Sequence, residues 1–216
     1  LPQAPGLSHE DRSSTFGDGE GMPLSMPEEE KRVLAWIDSN RDDAIELLQD
    51  LVRIPSLTGE EGPGQEFMAG YLKEMGLEVE RCVADMEALE GHPEFIPVDP
   101  EVNVGNYEER PNVIGRYRGS GGGRSIMFFA HMDTVPPGDG WTRDPYGAEI
   151  VDGRMYGLGT ADMKAGMAAS FYAVKACMGA GVHLKGEVLC MSNIEEEIGG
   201  SGFIAAADAR SPSPGS

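Results

Sequence analysis

The stretch HLKGEVLCMSNI, residues 183–194, constrains this chain most, because its second half is an almost unbroken apolar run closed by polar residues. Such a run fits a strand covered on both faces and therefore central in a sheet. Helical and strand patterns alternate upstream of it. GPGQEFMAGYLKEMG (62–76) places Phe67, Tyr71, Leu72 and Met75 on one helical face, Gly76 ends it, and LEVERCV alternates as a strand. A helix joined to a strand across a glycine is an αβ unit, which predicts a layered α/β domain.

The remaining segments fill in that plan. Residues 1–24 are rich in Pro, Gly, Ser and acid and read as a flexible lead-in. From Ser25, followed by Glu28 in a capping-box spacing, Val33, Trp36, Ile37, Ile45, Leu48 and Val52 recur at helical spacing. The helix is expected to break near Ser39 and Asn40 and to end before Pro55. Residues 84–110 read as one long loop. NVIGRYR (112–118) and RSIMFFA (124–130), separated by GSGGG, predict a β-hairpin. ADMKAGMAASFYAVKACMGAG (161–181) is helical, with Met167, Phe171, Val174 and Met178 as its inner stripe, and a short helix, GSGFIAAADA, closes the domain. The expected organisation is a lead-in over 1–24, a catalytic domain over 25–210 and a disordered tail over 211–216.

Composition narrows the function classes. Seventeen Lys and Arg against 37 Asp and Glu give a net charge of -20, which repels nucleic acid and anionic lipid. No apolar run approaches the roughly 20 residues that span a bilayer. Neither nucleic acid nor membrane is an expected partner. Cys82, Cys177 and Cys190 are too few and too scattered for a disulfide framework or a cysteine-rich zinc knot, so reduced thiols and a cytoplasmic location are expected.

Three clusters could carry chemistry. In FFAHMDTVPPGDGW, His131 and Asp133 stand two residues apart beyond an apolar strand, so extended backbone points both to one side. An imidazole there can bind metal through one nitrogen while a carboxylate holds the other. In MYGLGTADMKAG, Asp162 falls between a glycine-containing turn and a helix, where a carboxylate could bridge two cations; Lys164 is expected to pair with a neighbouring acid and to need no catalytic role. In MSNIEEEIGG, Glu195, Glu196 and Glu197 follow a core strand, and three adjacent like charges there require solvent or a cation. Each cluster alone also suits an ordinary structural use: a His–Asp turn, a helix N-cap, an acidic turn. Together they suit a pair of cations such as zinc, which activate water and clamp an oxyanion. HExxH, GxSxG and a phosphate loop ending in GKS or GKT are absent.

RPNVIGRYRG, AHMDTVPPGDGW, DGRMYGLGTADMKAG and EEEIGG, in this order, resemble the M20 metallopeptidase family, particularly its acetylornithine deacetylase and succinyl-diaminopimelate desuccinylase group. The resemblance implies a three-layer αβα zinc-exopeptidase-like catalytic domain and a metal-dependent hydrolase of amide bonds in N-acyl amino acids or small peptides. His131, Asp162 and Glu197 would be metal ligands, with Asp162 bridging. Asp133 would orient His131, and Glu196 would take a proton from the attacking water and return it to the leaving amine. Two zinc ions, or cobalt, are the implied cofactors. A third carboxylate, an inserted dimerisation domain and a C-terminal histidine are expected beyond residue 216, which implies a C-terminally truncated domain of impaired activity and a homodimeric full-length form. His9, His92 and His183 are not expected to substitute as ligands. The alternatives are a non-catalytic α/β binding or structural module and, among enzymes, a di- or tripeptidase.

Overall fold

The computed structural model describes residues 26–99 and 101–208. The lead-in over 1–24, Ser25, His9 and the tail over 211–216 lie outside those residues. Helix α1 (Glu28–Ser39) starts after Pro27 with no side-chain cap, and three glutamates in its first turn face the positive end of the helix dipole. The expected break falls at Asn40, and α2 (Arg41–Arg53) stops as Ile54 turns extended ahead of Pro55. After α3 (Gly62–Glu74) and β1 (Glu78–Cys82), the expected loop proves to hold two short helical pieces. These are α4 (Met86–Leu89), where Asp85 accepts from the Ala88 N–H, and a 3-10 turn (Tyr107–Glu109), where Asn106 accepts from the Glu108 N–H.

The predicted hairpin does not form. β2 (Asn112–Tyr117) and β3 (Ile126–His131) lie on opposite sides of β6 (Val188–Asn193), in the sheet order β1-β2-β6-β3. β2 runs antiparallel to β6, and β3 runs parallel to it. The glycines of GSGGG serve a different end from a two-strand turn. Ser120 and Gly121 donate their N–H groups to Leu184 O and Lys185 O, and a Cβ on Gly119 would meet the Lys185 and Gly186 carbonyl oxygens at 2.3 Å. The connection hugs the lead-in to β6 closely enough to exclude side chains. On the other side, a Cβ on Gly186 would sit 1.8 Å from Arg124 O. Gly186→Ala is therefore expected to destabilise the fold by about 1–3 kcal/mol through overpacking, measurable as a lower urea midpoint with an unchanged slope. Between these strands, β4 (Glu149–Val151) and β5 (Arg154–Tyr156) form a separate hairpin around Asp152–Gly153, both with positive φ.

β6 is buried at all six positions, as its apolar run predicts. Its residues alternate between two cores. Val188 and Cys190 join Leu51, Leu72, Val113 and Phe171 beneath α2, α3 and α5 (Ala165–Gly179), whereas Leu189 and Met191 join Ile114 and Ala206 beneath α6 (Ser201–Asp208). The architecture is the expected three-layer αβα arrangement, thinner on the α6 side. α5 starts later than its sequence pattern suggests: Thr160–Lys164 form a π turn in which Asp162 and Met163 leave helical dihedrals. Among the described residues Lys164 makes no ion pair with an acid. Fully buried, it donates to Leu51 O and Ile54 O at 2.8 and 3.0 Å and so caps the C-terminus of α2, while burial pushes its pKa down to about 8. All three cysteines are free, and among the described residues no helix is long and apolar enough to cross a membrane.

Candidate metal centre

Two neighbouring parallel strands, β3 and β6, deliver the site, because their C-terminal ends open on the same rim. His131 is the last residue of β3 and lies opposite Asn193, the last residue of β6. The turn after β3 is pinned by residues 56–58: the Ser56 hydroxyl donates to Met132 O at 2.8 Å, and the Thr134 N–H donates to Ser56 O at 2.9 Å. The triple glutamate follows β6 directly, and Asp162 arrives from the π turn ahead of α5.

His131 is nearly buried, and its ring is oriented from both ends. Nδ1 lies 2.9 Å from the carbonyl oxygen of Asp133 and 3.4 Å from its carboxylate; Nε2 faces Asp162 Oδ1 at 3.2 Å and Glu196 Oε2 at 3.7 Å. The expected His–Asp neighbourhood is present, but the shortest contact of Nδ1 is the backbone carbonyl rather than the carboxylate. A neutral imidazole donating from Nδ1 keeps its Nε2 lone pair aimed at the cleft. Ligand atoms of His131, Asp162 and Glu197 lie within 4.8 Å of one another, so the three converge. Glu196 and Glu197 line a cleft of about 710 Å³ together with His131, Met163, Asn193 and Phe203. His92 and His183 are absent from this convergence.

Electrostatics favour a cation here. Burial alone would lower the His131 pKa, yet hydrogen bonds to Asp133 and Asp162 and the charge of Glu196 lift it to about 9. Burial, followed by the charges of Asp133, Asp162 and Glu196, raises the Glu197 carboxyl above its ordinary value despite the opposing pull of His131. A proton on His131 thus stands in for part of the positive charge that the carboxylates call for. One imidazole nitrogen and two carboxylates suit zinc or a similar borderline cation.

Asp133 does more than face His131. Wholly buried, its carboxylate accepts from the Thr58 hydroxyl at 2.9 Å and from the N–H groups of Glu196 and Glu197, each at 3.1 Å. Glu195, the first of the triplet, points away from the cleft into a buried network with Arg110, Glu61 and Tyr107. Sequence reasoning passed over Arg110, Glu61, Tyr107 and Thr58. Arg110 heads the RPNVIGRYRG segment, but its acidic partners, which a buried guanidinium must have, lie 49 and 85 residues away.

Residues 127–213 match the sequence profile described as Peptidase family M20/M25/M40. A succinyl-diaminopimelate desuccinylase of Gluconobacter oxydans (strain 621H) is 36% identical over 155 residues, 72% of this chain and 35% of that protein. Over residues 127–213 the chain is similar to the M20 peptidases. A second relative, the succinyl-diaminopimelate desuccinylase of Methylocella silvestris, is 32% identical over 71% of this chain and 35% of its own length. Among solved structures, human carnosine dipeptidase 1 superimposes with a TM-score of 0.66 at 22% identity, covering 85% of this chain and 37% of that one. A Bacillus subtilis protein described as a dinuclear metal binding peptidase from M20 family gives a TM-score of 0.50 at 20% identity, covering 80% of this chain and 41% of that one. These structures share the fold. The chain spans about a third of the length of the desuccinylases that it matches.

Proposed function

We propose that this chain supplies the His131, Asp162, Glu196 and Glu197 part of a metal-dependent M20 hydrolase that cleaves amide bonds in N-acyl amino acids or small peptides. The observation that carries the reading is the convergence of His131, Asp162 and Glu197 on one rim, with Glu196 beside them. His131 Nε2, the Asp162 carboxylate and the Glu197 carboxylate would hold the metal, zinc or cobalt. A metal bound by these residues would supply Lewis acidity, for polarising the scissile carbonyl and acidifying water.

The chain's own groups supply the rest. Asp133 fixes the glutamate turn and, through its carbonyl, the His131 tautomer. Glu196, half exposed and free of ion-pair partners other than His131 among the described residues, takes the proton of the attacking water on its carboxylate and returns it to the leaving amine. Three free thiols suit a reducing, cytoplasmic setting, and the likeness to desuccinylases favours an N-acyl amino acid over a dipeptide.

Zinc titrated by calorimetry into the metal-free chain should bind stoichiometrically, and Glu197→Ala should remove that binding. Heat signals that are equal in the two proteins would rule out Glu197 as a ligand and reduce the motifs to ancestry. A proton must leave His131 as metal arrives, because its metal-free pKa is about 9. Apparent affinity should therefore climb by up to about tenfold per pH unit between pH 7 and 9 and then level off. Affinity measured with a competing chelator that stays flat across this window would exclude His131 from the ligand set.

A further inference from the structure

Glu195 combines three features that an acidic turn alone does not explain. Its φ is +63°, in the left-handed region that costs a residue with a Cβ about 1–2 kcal/mol; its side chain is wholly buried; and it sits directly before Glu196 and Glu197. Its carboxylate accepts from Arg110 Nη2 and from the Tyr107 hydroxyl, both at 2.7 Å. Its N–H donates to Glu61 Oε1 at 3.1 Å. Glu61 in turn accepts from Arg110 Nη1 at 3.2 Å and from the Gly59 N–H at 2.9 Å, and the Arg110 guanidinium lies 4.1 Å above the Tyr107 ring.

The turn is therefore gripped from two sides. The N–H groups of residues 195, 196 and 197 are received in order by Glu61, Asp133 and Asp133. Glu61 and Asp133 belong to different elements, the N-terminus of α3 and the turn after β3. Arg110 is the cation that lets Glu61 and Glu195 share one buried place; without it two uncompensated carboxylates would repel across the turn.

We infer that Arg110, Glu61 and Glu195 form a positioning clamp that sets the backbone of the glutamate turn, and thereby the direction in which Glu196 and Glu197 enter the cleft, without touching substrate or metal. The clamp rests on the reading of Glu196 and Glu197 as base and ligand for its importance to chemistry, but its geometry can be tested with no metal present. Glu195→Gly is the informative variant, since glycine accepts the positive φ while the anchor is lost. Glu195→Gln keeps an acceptor for Arg110 and Tyr107, and Tyr107→Phe removes a single hydrogen bond, so both guard against a variant that fails to fold.

Hydrogen exchange on the metal-free full chain should find the amides of residues 195–197 roughly tenfold less protected in Glu195→Gly, the worth of about one lost hydrogen bond, with β6 protection unchanged and with Glu195→Gln close to the parent. Cobalt affinity should fall by about 10–100-fold in Glu195→Gly, with an altered visible spectrum, and recover in Glu195→Gln. Parent-like protection of residues 195–197 in both Glu195→Gly and Tyr107→Phe would overturn the clamp, as would loss confined to global stability with cobalt affinity and spectrum intact. Loosened amides in a chain whose parent form binds no cobalt would uphold the clamp and sink the metal reading instead.

Discussion

Asp133→Ala is expected to lower the stability of the metal-free chain by about 3–5 kcal/mol and to abolish specific zinc binding. The buried carboxylate balances the protonated His131 ring and receives three donors, the Thr58 hydroxyl and the Glu196 and Glu197 N–H groups. Alanine strands all of them. Burial would raise the Asp133 pKa, but hydrogen bonds from His131, Glu197, Glu196 and Thr58 outweigh it and hold the carboxyl below its ordinary 3.8. A depressed folded pKa means that this contribution is present above about pH 4 and fades as pH falls through the folded value. His131 works in the opposite sense: raised from 6.5 to about 9, it contributes fully below pH 6.5 and loses that contribution as pH rises through 9. The pair therefore stabilises the metal-free parent most between about pH 4 and 6.5. Thermal melts across pH should show the gap between parent and variant widest in that window. A constant gap from pH 4 to 10 would mean that the two groups are not linked.

Phe171→Ala should cost a similar amount, about 3–5 kcal/mol, by a different route. Phe171 is fully buried in the core beneath α5, in the same apolar cluster as Leu51, Leu72 and Val113. The loss is a cavity and missing contacts. It should not change with pH between 5 and 9, and the folded fraction, held in a stabilising osmolyte, should bind zinc with the parent's affinity. Against a total stability of about 5–15 kcal/mol either substitution threatens the fold, so the two are separated by their metal binding and pH response rather than by melting temperature alone. Altered zinc affinity in the folded Phe171→Ala chain would show that the core and the rim are more tightly coupled than the contacts indicate.

The legibility of this chain depended on how local each signal is. The apolar run ending in Asn193 reported a central strand because burial on both faces leaves a mark inside a single segment. The break at Asn40 and the stop before Pro55 are likewise local backbone chemistry. His131, Asp162 and Glu197 were readable because each stands at the end of an element, and the structure brings all three together. Strand pairing is not local. β2 and β3 are close in sequence and joined by glycines, yet β6 separates them, and nothing in either segment reports a strand that arrives much later. The Asp152–Gly153 hairpin did carry a readable turn, although its strands of three residues are too short for alternation to register. The Arg110 network escaped notice for the same reason as the sheet order: its partners come from the head of α3, a short 3-10 turn and the end of β6.

The place of β6 between β2 and β3 also fixes the order in which the molecule can assemble. Two strands that could meet early, across a short connection, must stay apart until a distant one slots between them, and such non-local pairing delays the rate-limiting step. The inserting strand carries Asn193 at its tip and the glutamate turn immediately behind it, and it docks beside the strand that ends in His131. Closing the sheet and bringing the imidazole to the glutamates are therefore one event.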